Sequence, residues 1–128
     1  QAAEITAPFQ DAETAAQAII GWVHENMQPR MVVSIPSALA VLDTLSGDCN
    51  EHAALATALL RASGIPARTA SGLAYLDNAF YYHAWVEYWL DGWRTADPTW
   101  GQMPADLGHI RFVEGGLKAW KEAGGELE

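Results

Sequence analysis

Apolar residues recur at intervals of three and four between positions 16 and 27. Ala16, Ile19, Ile20, Val23 and Met27 fall on one side of a helix that Asp11 is placed to cap and that runs to about Asn26. Residues 1–10 have no clear period, and Pro8 argues against an early helix. Residues 28–34 read as a connector, and Pro36 suits the first turn of a short helix through about Leu45. Ser46-Gly47-Asp48 then interrupts the chain. A second strong helix follows from about Cys49 to Ser63, with Ala53, Ala56, Leu59 and Leu60 on its apolar stripe. Gly64 is placed to stop it and Pro66 bars its continuation.

From Ala67 the pattern changes to that of strands. Three are expected over Ala67–Tyr75, Phe80–Leu90 and Trp93–Asp97, with a fourth over His109–Val113 and a short helix over Leu117–Ala123. Helices first and consecutive strands afterwards predict an α+β fold with an antiparallel sheet. The 128 residues show no repeat, low-complexity stretch or internal linker, so residues 1–128 are expected to form one domain. Half the chain is apolar and six Trp supply large rigid groups, enough for a core of ordinary size.

Charge narrows the partners. A formal net charge of −9 repels phosphate backbones and anionic lipid, so neither nucleic acid nor a membrane surface is an expected partner. No run of about 18 apolar residues is present to span a bilayer. The first residues lack the basic start and apolar stretch of a signal peptide and there is no initiator Met, while Leu127-Glu128 reads as the remnant of an expression tag. The chain is therefore expected to be an excised piece of a longer protein, whose other parts can carry a signal or an anchor. A single Cys cannot form an internal disulfide and leaves the redox compartment open.

That cysteine follows Gly47-Asp48 and opens a helix, where unpaired N–H groups and the helix dipole favour negative charge on sulfur. The alternative is a small buried filler. A nucleophilic thiol needs a base, and the base needs an acceptor to orient it. His83 in mid-strand and Asp97 at a strand end, before Pro98, are the candidates. Alone, the first reads as a packed core histidine and the second as a turn carboxylate; the argument rests on all three together.

Strand parity supplies a test. Side chains alternate, so His83, Trp85, Glu87 and Trp89 share a face, as do Trp93, Thr95 and Asp97. A two-residue Asp91-Gly92 loop would place His83 and Asp97 on opposite faces. A three-residue loop, Leu90-Asp91-Gly92, pairs Trp89 with Trp93 and Trp85 with Asp97, and brings His83 and Asp97 to one face as diagonal neighbours. Gly92 would take the left-handed position of the turn. The three-residue loop is the expectation.

The three segments Gly47-Asp48-Cys49, His83-Ala84-Trp85 and Asp97-Pro98-Thr99, in that order, resemble the transglutaminase-like superfamily over roughly residues 12–113. The resemblance implies a papain-like core, with the nucleophile helix packed on an antiparallel sheet. It implies Cys49 as nucleophile, His83 as general base and acid, and Asp97 as the residue that orients the imidazole. Asn50-Glu51-His52-Ala53 and Gly101-Gln102 look most like the bacterial, cysteine-protease-like branch, which implies a protease, amidase or transglutaminase acting on protein or peptide amides in an exported or cell-envelope setting.

Other residues have paired readings. Asp48 caps the helix, although its charge opposes a thiolate unless it is turned away. His52, one turn after Cys49, either tunes the site or makes a structural hydrogen bond. Glu51 is a helix-surface or structural acceptor. Trp85, Trp89, Trp93 and Trp100 form core and wall, with room for one of them to line the cleft. Gln102 either donates near the site or closes a turn. No organic cofactor or calcium loop is indicated. Two further function classes stay open: a zinc site drawn from Cys49, His52, His83 and Asp97, and a non-enzymatic binding module that keeps the three residues.

Overall fold

The computed structural model describes residues 1–32 and 37–112. Pro36, Val113, the helix expected over Leu117–Ala123 and Leu127-Glu128 lie outside the described residues.

The chain runs α1 (Ala2–Thr6), α2 (Ala12–Asn26), β1 (Gln28–Pro29), α3 (Ala38–Thr44), β2 (Ser46–Gly47), α4 (Cys49–Ala62), β3 (Ala67–Leu76), β4 (Ala79–Trp89), β5 (Trp93–Ala96) and β6 (His109–Arg111). The fold is α+β, as the change of period indicates. One early expectation fails: a single helical turn precedes Pro8. It ends at Thr6, so Pro8 terminates the helix rather than preventing it.

Helix α2 begins where the Asp11 carboxylate accepts the Thr14 N–H, and Ala16, Ile19, Ile20, Val23 and Met27 are all buried. Helix α4 is the centre of the molecule. Ala53, Ala56, Leu59 and Leu60 are buried, and so are Glu51, His52, Leu55 and Thr57, because sheet residues pack on one side of it and α2 and α3 on others. Gly64, at φ 81, turns the chain out of the helix.

The expected connector begins with a short strand. Gln28–Pro29 lies parallel to Ser46–Gly47, with Gln28 N–H donating to Leu45 O and Arg30 N–H to Gly47 O, each at 2.9 Å. The clip fixes the backbone just ahead of Cys49.

The four-stranded sheet has the order β5-β4-β3-β6, all antiparallel. Asp77 and Asn78, with φ of 49° and 66°, make the two-residue turn between β3 and β4. Between β4 and β5 the pairs are Trp89↔Trp93, Tyr88↔Arg94, Glu87↔Thr95 and Val86↔Ala96, which is the parity of a three-residue loop. Its conformation differs from expectation: Asp91 takes the left-handed position (φ 55°), while Gly92 adopts φ 147°, which a side chain would disfavour. Trp89 and Trp93 are not core. Both are exposed and meet edge-on at 5.5 Å, with the Arg68 guanidinium 3.8 Å over the Trp93 ring.

Alternation divides the sheet into two faces. Ala67, Ala84, Val86, Tyr88 and Ala96 enter the apolar core with α4. His83, Trp85 and Glu87 point the other way and are also buried. On that second face the sheet must curl. In a flat sheet β5 and β6 would be about 14 Å apart, three strand spacings, yet side chains from the two edges touch. Gly72 permits the curl, because a Cβ there would lie 2.0 Å from the Ile110 carbonyl oxygen.

Candidate active site

The nucleophile candidate is set by the start of α4. Asp48 is the N-cap, accepting the Asn50 N–H at 2.9 Å, and Glu51 reaches back to accept the Asp48 N–H at 2.9 Å. The fold-back explains Gly47: a Cβ at that position would sit 2.3 Å from the Glu51 Cβ. Asp48 is thus spent on the helix cap, and neither of these two cap hydrogen bonds uses the Cys49 N–H. Burial raises the Glu51 carboxyl above the ordinary carboxylate range, reinforced by the Asp48 side chain. Cys49 itself is half-buried.

Asp97 follows the last residue of β5. Its backbone exchanges two hydrogen bonds with Gln102, at 2.8 and 3.0 Å, closing a turn through Pro98–Gly101. The carboxylate is fully buried and accepts four hydrogen bonds. Oδ1 takes the backbone N–H of Thr99 (2.9 Å) and of Trp100 (3.0 Å). Oδ2 takes His83 Nε2–H at 2.6 Å and His109 Nε2–H at 2.8 Å. Burial alone would raise this carboxyl; the hydrogen bonds from His83 and His109, and the His83 charge, bring it below its ordinary value.

His83 has Nε2 committed to Asp97, which leaves Nδ1 for the thiol. Burial pulls the ring's pKa down, but Asp97, through its hydrogen bond and its charge, and then the neighbouring Cys49 carry it up to about 9. Trp100 stacks on the imidazole at 4.3 Å and 18°. Tyr82, next to His83, donates to Asn50 Oδ1 at 3.2 Å and ties β4 to the first turn of α4.

The other candidates separate. His52 is buried with Nδ1 donating to Asp48 O at 2.7 Å, so the structural reading describes it, and burial holds its pKa below the ordinary imidazole range. Trp85 is buried and meets the His109 ring in a T-shaped arrangement, 5.0 Å and 82° apart. The Gln102 side chain closes a loop, exchanging hydrogen bonds with the Asp106 backbone and carboxylate, both 3.0 Å. Two histidines escaped the sequence reading. His109 lies 12 residues past Asp97 at the head of a short strand, with nothing periodic around it. His24 on α2 has Nδ1 within 3.2 Å of both the Pro98 and Thr99 carbonyls and lies against Gly101, bracing the turn that carries Asp97.

Among the described residues, His83, Asp97 and His109 also converge as metal ligands would, with donor atoms within 4.8 Å of one another. The nitrogen–oxygen separations of 2.6 and 2.8 Å are those of direct hydrogen bonds. Two ligands of one tetrahedral zinc ion sit about 3.3 Å apart, from bonds of ~2.0–2.1 Å. Cys49 and His52 are not in that group.

The sequence profile of the transglutaminase-like superfamily matches residues 1–98. The chain belongs to this superfamily. A protein-glutamine gamma-glutamyltransferase of Pseudomonas aeruginosa is 40% identical over 76 residues, covering 50% of this chain and 11% of that protein. The crystal structure of a candidate cysteine protease from Cytophaga hutchinsonii superposes with a TM-score of 0.76 at 27% identity, over 86% of this chain and 38% of that one. The periplasmic domain of TgpA from Pseudomonas aeruginosa, solved with ethylmercury bound, gives 0.58 at 31% identity, over 78% of this chain and 42% of that one. The chain thus spans about a tenth of the glutamyltransferase and about two-fifths of each of these structures. Among the described residues no helix is long and apolar enough to cross a membrane.

Proposed function

We propose that this superfamily member is the catalytic core of a thiol-dependent acyl-transfer enzyme acting on peptide or glutamine-type amides, with Cys49, His83 and Asp97 as its working residues. The observation that carries the proposal is the buried Asp97–His83 pair at 2.6 Å, with the imidazole raised to about 9 by its neighbours, among them the Cys49 thiol.

In the proposed cycle the Cys49 proton rests on His83 Nδ1, giving a thiolate beside an imidazolium. Sulfur attacks the amide carbon, and the Cys49 backbone N–H donates to the oxyanion. His83 returns its proton to the departing nitrogen, leaving a thioester. Water, or a primary amine, then attacks; His83 takes its proton and the thiolate leaves. Asp97 holds the ring in one tautomer throughout and supports its charge. Similarity to a glutamine gamma-glutamyltransferase supports the glutamine side-chain amide as substrate and an amine as one acceptor, and similarity to a cysteine-protease-like structure supports peptide hydrolysis. Similarity to a periplasmic domain supports an exported setting.

Incubation with a glutamine-containing peptide library, with and without a primary amine, tests the reading: ammonia release or peptide cleavage is expected, and amine incorporation if transfer competes. Cys49→Ala should abolish all three while its melting curve stays that of the wild type. Full turnover in Cys49→Ala would exclude covalent catalysis by this thiol. A non-enzymatic module would release nothing in either form. On the alkaline side, kcat/KM should fall with a midpoint near 9 as the leaving-group proton is lost from His83.

A further inference from the structure

The Asp97 carboxylate serves two imidazoles, and the reaction uses only one of them. His109 Nε2 lies 2.8 Å from the same oxygen, Oδ2, that holds His83. Its other nitrogen, Nδ1, lies 2.9 Å from Asp106 Oδ1 and 3.1 Å from Asp106 O. Every one of these neighbours is an acceptor, so each ring nitrogen is met by an oxygen that asks for a donor. The His109 side chain is only 3% exposed and packs edge-on against Trp85 and Trp100, so it has little freedom to point elsewhere. Asp106 is fixed in turn: Oδ1 accepts the Gly108 N–H, Oδ2 accepts from Gln102, and Gln102 is backbone-paired with Asp97. The contacts Asp106–His109–Asp97 therefore close into a ring through Gln102, and His83 is joined to that ring at Asp97.

We infer that His109 is a positioning residue for the thiol chemistry: by donating to Asp97 Oδ2 as a second partner beside His83, it fixes the carboxylate that orients the imidazole beside Cys49, and Asp106 fixes His109. Without it, Oδ2 has a single donor in a dry site, and the carboxylate is free to swing about the two backbone N–H groups that hold Oδ1. The inference rests on the proposed role of Cys49 and His83.

Packing and donation can be told apart by shape. Phe at position 109 keeps the ring against Trp85 and Trp100 but cannot donate, whereas Gln loses the ring and keeps an N–H near the place of Nε2. The readout is the rate of alkylation of Cys49, the sole thiol, by iodoacetamide at pH 6, which needs no knowledge of the substrate, with melting temperature recorded alongside. The wild type should react well above a small free thiol at that pH. His109→Phe should lose about tenfold, as expected when an indirect partner of a reactive group is removed, while His109→Gln stays within a few-fold of wild type even if it melts lower. The reverse order, with Phe as reactive as wild type and Gln slow, would show a packing role and overturn the inference while leaving the Cys49–His83 reading standing. A wild type no faster than the free thiol would overturn that reading and this inference together.

Discussion

On the side of the sheet covered by α4, Ala84, Val86 and Tyr88 of β4 meet Ala67 of β3 and Ala96 of β5, and the contact is almost wholly apolar. On the other side the same strand offers His83, Trp85 and Glu87, and the burial is nearly as complete. There, each buried charge has two ionisable neighbours: His83 and His109 on Asp97, Arg68 and Arg111 on Glu87. The apolar face is held by volume, and a missing methyl leaves a gap whose cost is local. The polar face is held by pairing, and a missing partner leaves the others dry and unsatisfied. The His83–Asp97 pair stands on the second face, where groups are held in place by one another rather than by fit alone, while Cys49 at the head of α4 packs against the apolar cluster.

The largest break in this comparison should come from Asp97→Ala, which strips the acceptor from two buried imidazoles and two backbone N–H groups at once. A loss of about 3–5 kcal/mol in urea unfolding is expected, together with loss of the enhanced alkylation of Cys49. Next, Leu60→Ala on the apolar side should cost about 2–5 kcal/mol, yet the folded variant should alkylate at the wild-type rate; slowed alkylation would mean that the two faces are not separable. The subtlest difference is in pH. His83 holds its proton up to about 9 in the folded chain against 6.5 ordinarily. Its contribution to stability is therefore complete below about 6.5 and is lost as the pH rises through 9. Melting temperature should fall across that window in the wild type and in Leu60→Ala alike, and the fall should be much reduced in His83→Phe.

The apolar face was legible in the sequence, and the polar one only in part. Periodicity locates α2, α4 and the strands because burial on one side imposes a repeat: Ile19, Ile20 and Val23, or Ala53, Ala56 and Leu60, announce themselves by spacing. Parity went further: requiring His83 and Asp97 to share a face predicts a three-residue loop between β4 and β5, and the observed register has that parity. Asp91 and Gly92 exchanged the expected roles in that loop because Asp tolerates the left-handed region almost as Asn does. His109 left no trace. Its position depends on the curl of the sheet that Gly72 permits and on the turn of residues 97–102, and neither has a period. Trp89 and Trp93 misled because aromatic residues suggest a core, whereas here they pair with each other beside the loop at the exposed turn end of the hairpin.

The parallel clip between Gln28–Pro29 and Ser46–Gly47 has a consequence for chain length. It gathers the chain at both ends of the segment between residues 30 and 45, so that this stretch leaves and returns at one point. Lengthening such a closed excursion adds little entropic cost, because that cost grows only with the logarithm of loop size. Added length between the clip and α3 should therefore leave the attachment of the Cys49 backbone to the scaffold unchanged.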